Sequence, residues 1–147
     1  MSRRVTVLNG PGLGQLGTRE PGVYGDRTQD ELAELLLSKA GSLGLELGFG
    51  QFDGEGDLIA AILAENGRSG CLIVNPAAYS HYSLAVMDAL RAFDGKVIEV
   101  HISQVLAREE FRKKLVTAEA ADAFIAGMGF EGYLLALEYA SRLLAAG

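Results

Sequence analysis

Tryptophan is absent from this chain of 147 residues, and cysteine, histidine and proline are scarce, at one, two and three. Each shortage excludes some chemistry. A lone Cys71 cannot form an internal disulfide, which suits a reducing compartment, and within the apolar run "CLIVN" it reads as a buried, inert thiol rather than a nucleophile. Two histidines, neither in an H-x-x-E-H or H-x-x-x-H spacing, and one cysteine give no basis for a metal centre, and none is expected. Cations are outnumbered, with 13 Lys and Arg against 19 Asp and Glu and a net charge of −6. The basic face that nucleic acid demands is therefore missing, although a site can hold local cations for a small anionic substrate. No apolar run nears the roughly 20 residues of a membrane span. The opening "MSRRVTVLNG" is too briefly apolar for a secretory leader. The expectation is a cytoplasmic protein with no nucleic-acid or membrane partner, forming one domain over residues 1–147.

What is present is an alternation of short apolar runs with amphipathic stretches. "RVTVLN" (4–9), "LELGFGQF" (45–52), "CLIVN" (71–75), "KVIEVHI" (96–102) and "ADAFIAG" (121–127) read as strands. Between them, "TQDELAELLLSKAGSLG" reads as a helix opened by a Thr28–Glu31 capping box, with Leu32, Leu35, Leu36 and Leu43 at helical spacing. "GEGDLIAAILAENG" is a second helix, with Leu58, Ile59, Ile62 and Leu63 on one face and Gly67 as its stop. "SLAVMDALRAF" and "GYLLALEYASRLLAA" are further helices, and "AREEFRKK" is a short one. Strands alternating with helices imply an α/β fold: a parallel sheet covered on both faces, in the flavodoxin-like order 2-1-3-4-5. Such folds bind ligands beyond the carboxyl ends of the strands, where Asn9, Asn75 and His101 fall.

Directly after the first strand, "GLGQLG" presents Gly12, Gly14 and Gly17 in the spacing G-x-G-x-x-G. A dinucleotide loop needs its third glycine to open a helix and an acidic residue roughly 20 positions on. Pro21, Gly22 and Gly25 predict no helix before Thr28, and Asp53 comes too late to supply the acid. A second such spacing, "GMGFEG", runs from strand to helix, but there close helix–strand packing explains the glycines better. An FMN site rests on fold analogy alone. The first loop makes more sense as a lid carrying Arg19 and Tyr24, against the plain alternative of a solvated surface loop.

The fourth strand departs from the continuous apolar run expected of a buried parallel strand. Residues two apart share a face, so Glu99, His101 and Ser103 point one way at its carboxyl end and Val100 and Ile102 the other. A carboxylate beside an imidazole fixes its tautomer, which makes His101 a functional candidate; the plain alternative is a hydrogen-bonded core histidine. A Ser103–His101 nucleophile pair stays open on these residues, though no G-x-S-x-G elbow exists. Arg108 and Arg112 fall on one side of "AREEFRKK" if it is helical, while Lys113 and Lys114 read as surface charge. "NPAAYSHYS" adds Asn75 at a strand end and His81 in the loop after it.

Taken together, "LNGPGLGQLGTREPGVYG", "EGDLIAAI", "NPAAYSHYSLAVMDAL", "IEVHISQVLAREEFR" and "GYLLALEY" resemble type II 3-dehydroquinate dehydratase over nearly the whole chain. The resemblance implies dehydration of 3-dehydroquinate to 3-dehydroshikimate without metal, imine or redox cofactor, in protomers assembled as trimers into a dodecamer. It implies Tyr24 as the base that removes a C2 proton, supported by Arg19. It implies His101 as the acid for the departing C1 hydroxyl, oriented by Glu99. Asn75, His81, the backbone at Ile102 and Ser103, and Arg112 are implied substrate contacts, and Asp88 is implied to reach a neighbouring protomer's site. A phenol is a poor base near neutral pH unless positive charge favours its anion, which gives Arg19, and Arg108 with it, a physical purpose.

The chain also departs from that family. The family usually reads N-G-P-N-L and this chain "NGPGL", so Gly12 replaces an asparagine that helps hold the enolate. Losing one such donor can cost roughly 10²–10³ in turnover by oxyanion-hole precedent, a loss that water filling the gap would soften. Tyr82 and Gln104 stand where Thr and Asn are more usual. Two rival readings remain: a weakly active or inactive paralogue binding a related cyclic polyol acid, and a flavodoxin-like FMN carrier.

Overall fold

The computed structural model describes residues 2–18 and 20–146. Its elements run β1 (Arg4–Asn9), α1 (Pro21–Tyr24), α2 (Gln29–Ser42), β2 (Glu46–Gln51), α3 (Glu55–Ala64), β3 (Cys71–Asn75), α4 (Leu84–Ala92), β4 (Lys96–His101), β5 (Ala123–Ala126) and α5 (Gly129–Ala146), with 3₁₀ turns between them. The strands form one parallel sheet in the order β2-β1-β3-β4-β5, as the alternation of patterns predicts.

Period-two alternation sorts the strand side chains onto two faces. Val5, Val7, Cys71, Ile73, Ile98 and Val100 pack against α2 and α5 through Leu32, Leu36, Tyr133 and Leu137. Leu8, Leu72, Val74 and Val97 pack on the other face against α3 and α4 through Leu58, Ile62, Val86 and Leu90. Both faces are thus covered, which is why the central strands carry nearly unbroken apolar runs.

The Thr28 cap acts as read: its hydroxyl accepts from the Glu31 N–H at 3.2 Å and opens α2. The Ser83 hydroxyl, not singled out in the sequence, accepts from Val86 N–H at 3.0 Å and opens α4. In α3, Leu58 and Ile62, four apart, are fully buried, whereas Leu63 is 42% exposed instead of sharing their face. Five residues from Leu58 it stands about 140° round the helix. Gly132 of "GMGFEG" fits the packing explanation: a Cβ there would lie 3.2 Å from Ile125 Cγ2 and 3.6 Å from Val100 Cγ1, so a glycine lets α5 sit close on β4 and β5.

Two local expectations need correction. Pro21, Gly22 and Gly25 do not exclude a helix before Thr28: one turn, α1, occupies Pro21–Tyr24. Proline is tolerated at a first helical position because its missing N–H would have no partner there, and Gly25, at φ 81°, ends the turn. "AREEFRKK" is not an α-helix but lies across two 3₁₀ turns, Val105–Ala107 and Glu110–Lys113. β1 and β3 have the bounds read from the sequence, and the other strand and helix ends differ by at most three residues, as fraying ends do. α5, for example, starts at Gly129 rather than at Gly132.

Candidate active site

Register sets the site. Asn9 pairs with Gln51 on one side and Asn75 on the other, so three amides line up at the carboxyl ends of β2, β1 and β3. Val74 pairs with Glu99, which carries His101 of β4 just past that row. A pocket opens at this rim, lined by Tyr24, Asn75, His81, His101, Ile102, Ser103, Arg108 and Arg112 among others. Eight of the residues singled out in the sequence therefore converge. Glu99 lies beneath His101, and Asp88 lies on the exposed side of α4 away from the pocket lining. Arg19 lies outside the described residues.

His101 and Glu99 form a buried pair, with His101 Nε2 2.7 Å from Glu99 Oε2. Glu99 and His101 share a face as read from "IEVHIS", and it is the α4 side of the sheet; Ser103 lies beyond the end of β4 at His101 and is not part of that strand face. The other carboxylate oxygen, Oε1, accepts from the Thr117 hydroxyl at 2.6 Å. With Nε2 turned to Glu99, Nδ1 is the His101 nitrogen that can act on a ligand.

Tyr24 ends α1 and meets Arg108, whose Nη1 donates to the phenol oxygen at 3.0 Å and to Ser103 Oγ at 3.4 Å. The same guanidinium carbon lies 5.4 Å from the centre of the Tyr24 ring. Arg112 Nε donates to Glu109 Oε2 at 2.6 Å, a bond that holds the Glu109 carboxyl below its ordinary value. Though not on one α-helix, Arg108 and Arg112 both still reach the pocket from successive turns.

His81 stacks beside His101, with ring centres 6.4 Å apart, and its Nδ1 lies 2.9 Å from the Lys114 carbonyl oxygen. Burial pushes the His81 pKa down; the Lys114 carbonyl opposes this, and the charges of His101 and Arg112 add to it. A neutral His81 can both donate and accept. Asn75 is held at both ends: its Oδ1 accepts from Ala77 N–H at 3.0 Å and its Nδ2 donates to the Tyr133 hydroxyl at 2.9 Å. Ala77 has φ 52°, a left-handed conformation that non-glycine residues rarely adopt, and it lines the pocket.

Two supporting residues escape a reading of the sequence. Tyr133, fully buried on α5, donates to Asn9 Oδ1 at 2.7 Å while accepting from Asn75, so it ties β1 to β3 just under the pocket. Thr117 sits in the turn Thr117–Ala120, eighteen residues beyond Glu99. Neither has a local signal, because both read as ordinary members of a helix or loop and act only across the fold.

The glycine loop turns on Gly12, which has φ 79° and donates its N–H to Asp53 Oδ1 at 3.0 Å. Gln51 Nε2 reaches the same oxygen at 2.8 Å. These two bonds, the Gly12 one foremost, hold the Asp53 carboxyl below its ordinary value. Asp53, too late for a ribose contact, instead pins the loop. The third glycine, Gly17, opens no helix; the next one begins at Pro21. Among the described residues, no three His, Cys, Asp or Glu side chains converge where a metal ion could be held.

Comparisons with known proteins place the sequence and the fold. The family model "Dehydroquinase class II" matches residues 3–141. A 3-dehydroquinate dehydratase of Bartonella henselae is 48% identical over 139 residues, covering 95% of this chain and 94% of that protein. One from Salinispora tropica is 46% identical over 136 residues, covering 92% and 95%. The crystal structure of a type II dehydroquinase from Propionibacterium acnes superposes with a TM-score of 0.92 at 43% identity, covering 97% of this chain and 98% of that one. With sequence and fold matched over nearly their full length, common descent is the explanation: the chain belongs to the class II dehydroquinase family.

Proposed function

We propose that this chain dehydrates 3-dehydroquinate to 3-dehydroshikimate by anti elimination through an enolate, as a single domain without metal or redox cofactor. The observation that carries the reading is the meeting of a phenol and an imidazole in one pocket, with Arg108 bonded to the phenol and Glu99 to the imidazole. Tyr24, as phenolate, takes the proton from C2, and the electron pair passes into the neighbouring C3 carbonyl as an enolate. Arg108 holds the phenol oxygen by its hydrogen bond, and Arg19, five residues before Tyr24 in the chain, is the second supporting cation. The enolate then collapses to a C1–C2 double bond. Hydroxide leaves C1 and takes a proton from the His101 imidazolium, departing as water. Glu99 holds the ring in the tautomer and orientation that this requires. Asn75, His81, Arg112, Ser103 and the backbone at Ile102 bind the carboxylate and hydroxyls of the substrate.

The assembly that suits this reading is a dodecamer built from trimers, in which exposed Asp88 reaches a neighbouring protomer's site, working in the cytoplasm. No helix among the described residues is long and apolar enough to cross a membrane.

The test is the appearance of the ultraviolet-absorbing enone when pure protein meets 3-dehydroquinate. Tyr24→Phe should abolish turnover while substrate still binds. No enone from the parent protein sinks the activity, and equal rates in parent and variant remove Tyr24 as the base.

A further inference from the structure

We infer that the Thr117 hydroxyl is a positioning group for the acid half of the site, fixing Glu99 so that Glu99 can fix His101. The inference rests on the activity proposed above for its kinetic consequence, though not for its structural one.

Glu99 is wholly buried, and its side chain has a polar partner on each oxygen: the His101 ring at 2.7 Å and the Thr117 hydroxyl at 2.6 Å. A carboxylate with a single anchored oxygen can swing about its last bond; one held through both oxygens cannot. Thr117 is itself fully buried, and its branched Cβ restricts its rotamer, so the hydroxyl does not wander. The turn that carries it is anchored in its own right: the N–H of Val116, immediately before Thr117, donates to the Ser80 carbonyl at 2.7 Å. Ser80 precedes His81, the ring stacked on His101. One turn therefore braces both the carboxylate beneath His101 and the loop that carries its stacking neighbour. With both oxygens held, the carboxylate keeps one position against His101 Nε2, and the ring keeps its orientation in the pocket.

The experiment compares Thr117→Val, which keeps the shape and deletes the hydroxyl, with Thr117→Ser, which keeps the hydroxyl and deletes the methyl. Thr117→Ala serves as the second hydroxyl deletion should the valine variant not fold. Two readouts are taken on the full chain. The first is the nuclear magnetic resonance of the imidazole nitrogens and their protons, readily assigned because the chain has two histidines. The parent and Thr117→Ser should show the hydrogen-bonded Nε2 proton of His101 as a distinct downfield signal. Thr117→Val or Thr117→Ala should lose it to exchange. The second is steady-state turnover of 3-dehydroquinate, where deleting the hydroxyl should lower kcat by about tenfold, part of what a general acid contributes, with KM within twofold. Thr117→Ser should restore kcat.

If the hydroxyl deletions keep both the signal and kcat, the inference is overturned. It is overturned equally if Thr117→Ser falls as far as Thr117→Val, since the methyl packing would then be what matters. If the parent protein produces no enone while the signal still depends on the hydroxyl, the activity reading falls and the positioning role stands.

Discussion

The sheet buries a glutamate at each of its two ends, and the two are held in opposite ways. Glu65, 7% exposed near the amino ends of β1 and β3, takes Arg4 Nε at 3.2 Å, Thr6 Oγ1 at 3.0 Å and Ser69 Oγ at 2.5 Å on one oxygen, with Arg68 3.5 Å from the other. Burial alone would raise its pKa, but the bonds from Ser69, Thr6 and Arg4 overcome that and hold it below the ordinary value. Glu99 at the carboxyl end is met instead by a hydroxyl and an imidazole. A carboxylate saturated by guanidinium is a fixture of the fold. One whose charge is answered by a titratable ring can take part in moving a proton. The same residue type is buried in both places, and on the proposed mechanism what faces it makes it structural at one end and chemical at the other.

The comparison breaks first at Glu99. Glu99→Gln should cost about 10²–10⁴ in kcat, the range seen when an orienting acid is neutralised or general acid catalysis is lost, with the melting temperature little changed; rates near the parent's would make Glu99 as structural as Glu65. Glu65→Gln should show the reverse: kcat/KM unchanged, and stability lower by about 2 kcal/mol, the scale of hydrogen bonds to a charged group, read as a lower midpoint in chemical denaturation. A loss of activity at constant stability there would erase the distinction between the two ends. Acid should sharpen it further. Because the folded pKa of Glu65 is depressed, its contribution is complete above the unfolded carboxylate value of about 4.3 and is lost as pH falls through the folded one. The gap in stability between the parent and Glu65→Gln should therefore close as pH drops below about 4. The smallest effect is expected at Gly12. Its φ of 79° is one that asparagine tolerates better than other side chains, so Gly12→Asn should fold and raise kcat severalfold, as measured by enone formation. An unchanged or lower rate would mean the rim has been rebuilt around glycine.

The sheet order and the Glu99–His101 pair are legible in the sequence because each breaks or obeys a periodicity. "KVIEVH" should be apolar throughout for a buried parallel strand, and two polar residues at spacing two mark a face with work to do. That no helix opens directly at Gly17 is also legible, from the residues that follow it. The turn Pro21–Tyr24 is harder to see, because proline and glycine serve there as the two ends of one helical turn rather than as breakers. The convergence of Arg108 and Arg112 is legible only through the wrong geometry, since the segment folds as two 3₁₀ turns and not one helix. Thr117 and Tyr133 are illegible. Their partners lie 18, 58 and 124 residues away, and no local pattern encodes a contact made only when distant elements close on one another.

The alternation along β4 has one more consequence. A slip of one residue in its pairing would turn Glu99 and His101 toward α5 and bring Val100 and Ile102 to the opposite side. Such a misthreaded chain would keep its strands and helices but have an aliphatic rim in place of a proton donor. Recovered turnover after dilution from denaturant would therefore count the molecules whose fourth strand found its proper register, which a bulk measure of helix content would not separate.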